Sequence, residues 1–346
     1  MRFSRLSLGA QTAYAELLEQ TQGLEIQRHL GHLAGSFQRK RIKGHWYWYF
    51  AYRDLDGGMR FVYVGPDGER VASLIERFRS EKHVSTKARA RAVIALGCSP
   101  LVPQHYRVIK RLADYGFFRA GGVLVGTHAF VALGNALGVR WTEADRTLDV
   151  DFAHAGRNVS IGLPATIRVD VHEALTSLEM GLLPITQFTG NVGARYRNPK
   201  DPDLRLDFVT TRHRGDPVHV PNLNVALQPL KFMEFMLEET TQGLALCAEG
   251  ATVVNLPTPA RYAVHKLIVH GERPLREHAK AVKDLQQAAA LATYFLEERP
   301  TDFRKAWRDA VGRGAGWRRR VEQGRAALVR LEPGLDSPKL WGRRSR

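Results

Sequence analysis

The segment Thr147-Leu-Asp-Val-Asp-Phe152 constrains the fold more than any other stretch of this chain. Apolar Leu148, Val150 and Phe152 alternate with Asp149 and Asp151, the period of a strand with one buried face, so both carboxylates share the other face. Like charges that close repel, and between apolar neighbours the pair implies a divalent cation within reach of both. A second apolar run, Val123-Leu-Val-Gly-Thr-His128, ends in Gly126-Thr127 and passes into a helical stretch, Ala129 to Leu137. A helix start of this kind offers free N–H groups and a dipole that favours an anion. Further on, Leu204-Arg-Leu-Asp-Phe-Val-Thr210 places Asp207 inside another β-favouring run.

The order strand, Gly-Thr at a helix start, Asp-x-Asp, then a later strand Asp resembles the nucleotidyltransferase (polymerase-beta-like) superfamily. Gly126 and Asp149 lie 23 positions apart, longer than the family's usual spacing, and Thr127 stands where Ser or Gly is commoner. That spacing, with Arg146-Thr147 before the first Asp, resembles the toxin-like and uncharacterised bacterial branches. The segment Val253-Val-Asn-Leu-Pro-Thr-Pro-Ala-Arg-Tyr-Ala-Val-His-Lys-Leu-Ile268 is similar to the Pro-x-Arg-(aromatic)-Ala-x-His-Lys-Leu signature of a little-studied bacterial family of that fold. The resemblance implies Mg²⁺ (or Mn²⁺) held by Asp149, Asp151 and Asp207, with phosphates positioned by Gly126, Thr127 and Arg146. It gives Lys266 a catalytic role against the triphosphate. Arg273 and Lys283, with Lys280 and Asp284, are similar to the Arg…(Arg/Lys)-Asp pattern that closes the catalytic unit of the toxin-like branch. An ordinary ion pair one helical turn apart explains Lys280 and Asp284 equally well.

The fold class expected is α+β: a nucleotidyltransferase-like mixed β-sheet flanked by helices, with an N-terminal helix, a small β-meander and a C-terminal helical bundle. Residues 11–34 carry helical spacing, and residues 35–65 read as a three-stranded meander in which Arg39, Lys40, Arg41 and Lys43 precede Trp46 and Trp48. Basic residues interleaved with aromatics suit phosphate contact and base stacking, while alternation packs at least half of these rings inward. Helices follow through residue 115. Three regions result: 1–116, with the meander; 117–257, catalytic; and 258–346, helical with a basic tail. Within the catalytic region, helices are expected over 171–182 and 230–239, strands over 121–126 and 184–189, and a turn-rich hairpin connection over 191–203. A β-hairpin is expected from 243–248 and 251–256, with Pro257-Thr-Pro259 opening the next helix. The run 210–216 reads as a basic loop.

Composition bounds the partners. The chain of 346 residues carries 51 Lys and Arg against 35 Asp and Glu, a net charge of +16. Residues 301–346 alone hold 13 Lys and Arg against 5 Asp and Glu, half of that excess. Such clustering favours a polyanion, and so nucleic acid, with RNA expected before DNA. The absence of any run of about 18 apolar residues excludes a membrane span from the expectation, and the N-terminus lacks the pattern of a signal peptide. Cys98 and Cys247, each in an apolar setting, fit a reducing cytoplasm without a disulfide framework.

The function expected is metal-dependent transfer of a nucleoside monophosphate from an NTP, such as ATP, to an acceptor hydroxyl of an RNA such as tRNA, in a toxin–antitoxin-like setting. Two alternatives accompany it: transfer of AMP to a hydroxyl of a partner protein, and a nucleic-acid-binding protein on this fold without catalysis.

Overall fold

The computed structural model describes residues 2–31, 35–53, 59–81, 86–142, 149–155, 169–186, 192–211, 215–273 and 277–342. The N-terminal part comprises β1 (Phe3–Arg5), α1 (Leu8–Gly31), β2 (Gly35–Ile42), β3 (His45–Arg53), β4 (Met59–Pro66), α2 (Glu69–Glu81), α3 (Lys87–Ala95) and α4 (Pro103–Asp114). The central part runs β5 (Gly122–Val125), α5 (Gly126–Ala136), β6 (Val139–Trp141), β7 (Asp149–His154), α6 (Val171–Thr176), β8 (Leu183–Thr186), β9 (Val192–Asn198) and β10 (Asp201–Thr210). It continues with β11 (Val218–Val220), β12 (Val225–Pro229), α7 (Met233–Leu237), β13 (Thr240–Cys247) and β14 (Gly250–Pro257). The last part is helical: α8 (Pro259–His270), α9 (His278–Glu297), α10 (Pro300–Gly312), α11 (Ala315–Leu331) and α12 (Pro338–Trp341). The architecture is the expected α+β one.

Strand β10 is the spine of a mixed sheet. Strand β7 runs parallel along one edge of it, and β5 pairs antiparallel with β7. The other edge of β10 takes β9 antiparallel along its first half and β12 parallel at its end, while β8 adds to β9 and β11 to β12. Alternation splits these strands cleanly. Val150, Phe152, Leu206 and Phe208 are fully buried on one face, where Phe152 and Phe208 stack at 5.2 Å and Phe117 meets both edge-on. Burying two such aromatics removes on the order of 150 to 250 Å² each from water, which fixes the register, because a one-residue slip would put the phenylalanines in solvent. Asp149, Asp151, Arg205 and Asp207 therefore face the other way.

Contacts run across the sequence lines drawn at 116/117 and 257/258. Strand β1 pairs with β6, so Phe3 sits opposite Trp141. Helix α1 meets the β13–β14 hairpin, where the Leu244 N–H donates to the Tyr14 hydroxyl at 3.0 Å. One core cluster joins the sheet to α8, α9, α10 and α11. Gly324 of α11 lies so close to α8 that a Cβ there would stand 2.3 Å from the Leu267 carbonyl oxygen.

Three local expectations need correction. The helix expected over 171–182 stops at Thr176, because Glu179 and Gly181 take left-handed backbone (φ +53° and +67°). The helix expected over 230–239 shrinks to α7, since Phe232 is left-handed (φ +67°) and Pro229 still belongs to β12. Most consequentially, much of the supposed connection over 191–203 is strand β9, in which Ala194 and Tyr196 are buried and Arg195 and Arg197 are exposed. The meander has the expected order β2–β3–β4, with a two-residue turn at left-handed Lys43 and Gly44. Among the described residues no helix is long and apolar enough to cross a membrane.

Candidate active site

Pairing of β9, β10 and β7 lays out two cross-strand rows on the open face. One row is Arg197–Arg205–Asp149 and the next is Arg195–Asp207–Asp151. Strand β5 extends the second row, with Val125 opposite Asp151, so the chain enters α5 at Gly126 directly beside that carboxylate. Gly126 takes φ +65°, and a Cβ there would stand 2.0 Å from Asp151 Oδ2. Only glycine permits both the turn and the approach. No side chain caps α5, and no acid lies in its first turn, so its leading N–H groups are left to an anion.

Crowding shows in the protonation equilibria. Burial first, then Asp207 and Asp149, push the Asp151 carboxyl from its ordinary value up to about 6, with Lys266 and Lys280 opposing. Asp207 is raised by burial as well; Arg195 pulls it down and Asp149 pushes it up. The Arg195 Nε holds Asp207 Oδ1 at 2.9 Å.

The carboxylates form a partition between two cavities. On one side lies a cavity of about 570 Å³ lined by Gly126, Asp151, Tyr262, His265, Lys266 and Arg273, with Phe232, Met233 and Met236 as its apolar wall. On the other lies one of about 200 Å³ lined by Asp149, Asp207, Arg195, Arg197, Arg205 and Lys280. Helix α8 supplies the larger cavity's chemistry. Lys266 Nζ donates to Asp284 Oδ1 at 2.7 Å, and Arg273 Nε to Asp284 Oδ2 at 2.5 Å. Burial alone would lower the Lys266 pKa; Asp284 and then Tyr262 outweigh it, and the ammonium stays charged. Asp284 therefore serves Lys266 and Arg273 from inside the bundle, in place of the expected surface pairing with Lys280.

Two further groups complete this wall. The Tyr262 hydroxyl lies 2.9 Å from both the Gly126 carbonyl oxygen and Gln287 Oε1, tying the α5 entrance to α8 and α9. His265 is 5% exposed, and neither ring nitrogen has a hydrogen-bond partner among the described residues. Burial first, with Lys266 and Arg273 adding, lowers its pKa to about 3 against Asp284, so the ring is neutral, with one donor and one acceptor.

Other expected residues fall elsewhere. Thr127 is buried, and its hydroxyl accepts from Gln287 Nε2 at 3.5 Å, so it lines neither cavity. Lys283 is half-buried on α9, where its charge acts on His128. Arg146 lies outside the described residues. Arg261 is structural: it donates to the Phe235 carbonyl at 3.0 Å and pairs with Glu238, Glu239 and Asp309. Asn255 of the same signature donates to the Phe118 and Gly122 carbonyls at 2.6 and 2.9 Å, fixing the start of β5. In the meander, Trp46 is exposed with the Arg39 guanidinium 4.8 Å from its ring, and Arg41 and Lys43 are exposed. Trp48 is half-buried and donates to Asp67 at 2.7 Å, while Lys40 lies over Phe61.

Sequence reasoning missed Arg195, Arg197 and Arg205. The alternation Val192, Ala194, Tyr196 against Arg195, Arg197, closed by the turn at Asn198-Pro-Lys-Asp201, was the signal that could have found β9.

No curated protein matches the chain. A solved structure that is similar is an antigenic nucleotidyltransferase-like protein from Paracoccidioides brasiliensis, 16% identical, with a TM-score of 0.35 over 70% of this chain and 94% of that one. A family model described as nucleotidyltransferase matches residues 104–312, from the helix before the sheet to the end of α10. That span is more than half of the chain and takes in both carboxylate strands, the Gly126 turn and the Lys266 helix, and the chain belongs to this nucleotidyltransferase family.

Proposed function

We propose that the protein transfers a nucleoside monophosphate from an NTP to a hydroxyl of RNA, with pyrophosphate leaving, in a reaction that depends on Mg²⁺ or Mn²⁺. The observation that carries this reading is the partition: Asp151 faces the larger cavity beside Gly126, and Asp149 and Asp207 face the smaller one. An in-line displacement needs the attacking and leaving oxygens on opposite sides of the phosphorus, and separate cavities bordering the carboxylates leave room for an acceptor and a donor to approach in that way.

The donor set fits a hard divalent cation in kind. It is all carboxylate oxygen, and burial first, with the neighbouring carboxylates adding, lifts both Asp151 and Asp207. Its arrangement is open: among the described residues no three Asp, Glu, His or Cys groups stand ready for one ion, and Arg195 holds Asp207. Asp149, Asp151 and Asp207 would hold the metal, which supplies charge neutralisation at phosphate oxygens and acidifies the attacking hydroxyl.

The chain's own groups do the rest. The N-terminus of α5 and Gly126 receive the triphosphate, and Lys266 and Arg273, kept charged by Asp284, offset charge on the departing pyrophosphate. The acceptor oxygen bonds to the α-phosphorus as the bond to the bridging oxygen breaks, and Asp207 takes the hydroxyl proton. Phe232, Met233 and Met236 give the base an apolar wall, and the two unpartnered nitrogens of His265 await polar atoms of the nucleoside. The net charge of +16 and exposed Trp46 beside Arg39 support RNA as the acceptor.

Purified protein with Mg²⁺ and each labelled NTP, offered total tRNA, DNA or cell lysate, tests this. Label on RNA that disappears in Asp149→Asn is the expected result. Label on a protein band would replace RNA with a protein acceptor, and silence with salt-sensitive nucleic-acid binding would leave a binding protein.

A further inference from the structure

Among the described residues, four cations and two carboxylates line the smaller cavity. Arg197 on β9 and Arg205 on β10 stand directly opposite one another, and Arg195 and Lys280 border the same space. Like charges at directly opposed positions repel, and an anion arriving beside them relieves that repulsion. Guanidinium forks match phosphate geometry, and the cavity of about 200 Å³ has room for little more than a phosphodiester and its neighbours.

We propose that Arg195, Arg197, Arg205 and Lys280 form the acceptor subsite, which takes the phosphodiester flanking the reacting hydroxyl of an RNA chain. This inference rests on the reading above that RNA is the acceptor. A polynucleotide sets a phosphate within one nucleotide of each hydroxyl, whereas a protein hydroxyl brings no fixed anion. The same subsite couples acceptor to metal. Arg195 now neutralises Asp207 at 2.9 Å, and its side chain is 66% exposed. An arriving phosphodiester competes for that guanidinium, Arg195 passes from carboxylate to phosphate, and Asp207 is released to join Asp149 and Asp151. By reciprocity, the metal then tightens RNA binding by the same factor.

The test uses the full chain and a fluorescent single-stranded RNA with a free 3′-hydroxyl, read by anisotropy in EDTA without NTP. Arg197→Gln/Arg205→Gln is expected to bind about tenfold more weakly, with the slope of log K against log salt lower by about 1. Arg318→Gln/Arg319→Gln removes the same charge from exposed positions on α11 and is expected to lose far less. Equal losses from the two pairs would show attraction by overall charge and overturn the subsite. Mn²⁺ binding, followed by the resonance of the free ion, tests the exchange: RNA tightens it in the wild type, and Arg195→Gln tightens it without RNA. Mn²⁺ affinity indifferent to both would overturn the exchange. RNA labelling that persists in Arg197→Gln/Arg205→Gln at the wild-type KM would remove this subsite and leave the transferase reading standing, whereas label on protein alone would remove both.

Discussion

Replacing Asp151 with Asn separates what the site costs the fold from what it gives the reaction. Its carboxyl is pressed against Gly126, buried, and crowded by Asp207 and Asp149, and so titrates at about 6 instead of 3.8. The folded protein holds this proton more tightly than the unfolded chain does. The contribution of Asp151 to the metal-free protein is therefore neutral below about pH 4, where both forms are protonated, turns unfavourable as pH rises from about 4 to 6, and is a constant deficit above that. At 1.36 kcal/mol per pH unit the deficit is at most about 3 kcal/mol, and side-chain relaxation reduces it. Asn keeps the shape and removes the charge. In EDTA at about pH 8, Asp151→Asn should raise Tm by about 1–4 °C, from an unfolding entropy of about 2 cal/mol/K per residue. The gain should vanish near pH 4. Transfer activity should be lost, and Mg²⁺ should stabilise the wild type more than the variant. Differential scanning fluorimetry across this pH range, with and without EDTA, reads the Tm shifts, and the labelling assay reads the transfer. A variant no more stable than wild type at pH 8, or a gap that does not change with pH, would refute the crowding argument.

Other substitutions probe the neighbouring groups. Gly126→Ala brings a Cβ 2.0 Å from Asp151 Oδ2 at φ +65°; it should cost about 1–3 kcal/mol in urea unfolding and lower labelling rates about 100-fold. Asp284→Ala leaves half-buried Lys266 without its carboxylate and Arg273 with Glu277 alone, and should destabilise by about 3 kcal/mol. The NTP affinity of the folded fraction should fall with it in calorimetry. His265→Phe removes two ring nitrogens that no protein group satisfies. Tm should hold or rise, while NTP binding weakens by about 1–3 kcal/mol; unchanged binding would show that no ligand atom uses them.

Sheet elements with a strict two-residue period and charged outward positions were legible in advance. Asp149, Asp151 and Asp207 could be placed on one face because Val150, Phe152, Leu206 and Phe208 leave their strands no other way to lie. The helices bearing Lys266 and the C-terminal bundle followed from Pro259 at a first turn and from regular apolar spacing. Strand β9 was hidden because turn residues flank a run whose polar members are arginines, which side-chain preference alone assigns to loops as readily as to strands. Thr127 was assigned to phosphate by position, but its backbone direction as the second residue of α5 turns it into the helix bundle towards Gln287. Asp284 was read on its own helix, where Lys280 is one turn away. Only tertiary packing shows that α8 offers the better partner, Lys266.

The spacing of Asp149 and Asp151 carries a consequence beyond shared metal affinity. Two residues along a strand amount to about 6.6 Å, and within that distance the two side chains come to border different cavities. The row on β10 repeats the step, with Arg205 beside Asp149 and Asp207 beside Asp151. Charge on the open face therefore changes sign across the strands, from Arg195 and Arg197 on β9 to the carboxylates on β7, beyond which lies the anion-favouring helix start at Gly126. A polyanion approaching from the β9 side meets attraction first and repulsion only at the carboxylates, where a cation is needed to go further. On the proposed reading, the field that draws in an RNA acceptor also holds it at the carboxylates until a metal ion is bound. That ordering depends on the β9 arginines as well as on the register, because a neutral β9 would leave the carboxylates intact and take Arg195 and Arg197 out of the gradient.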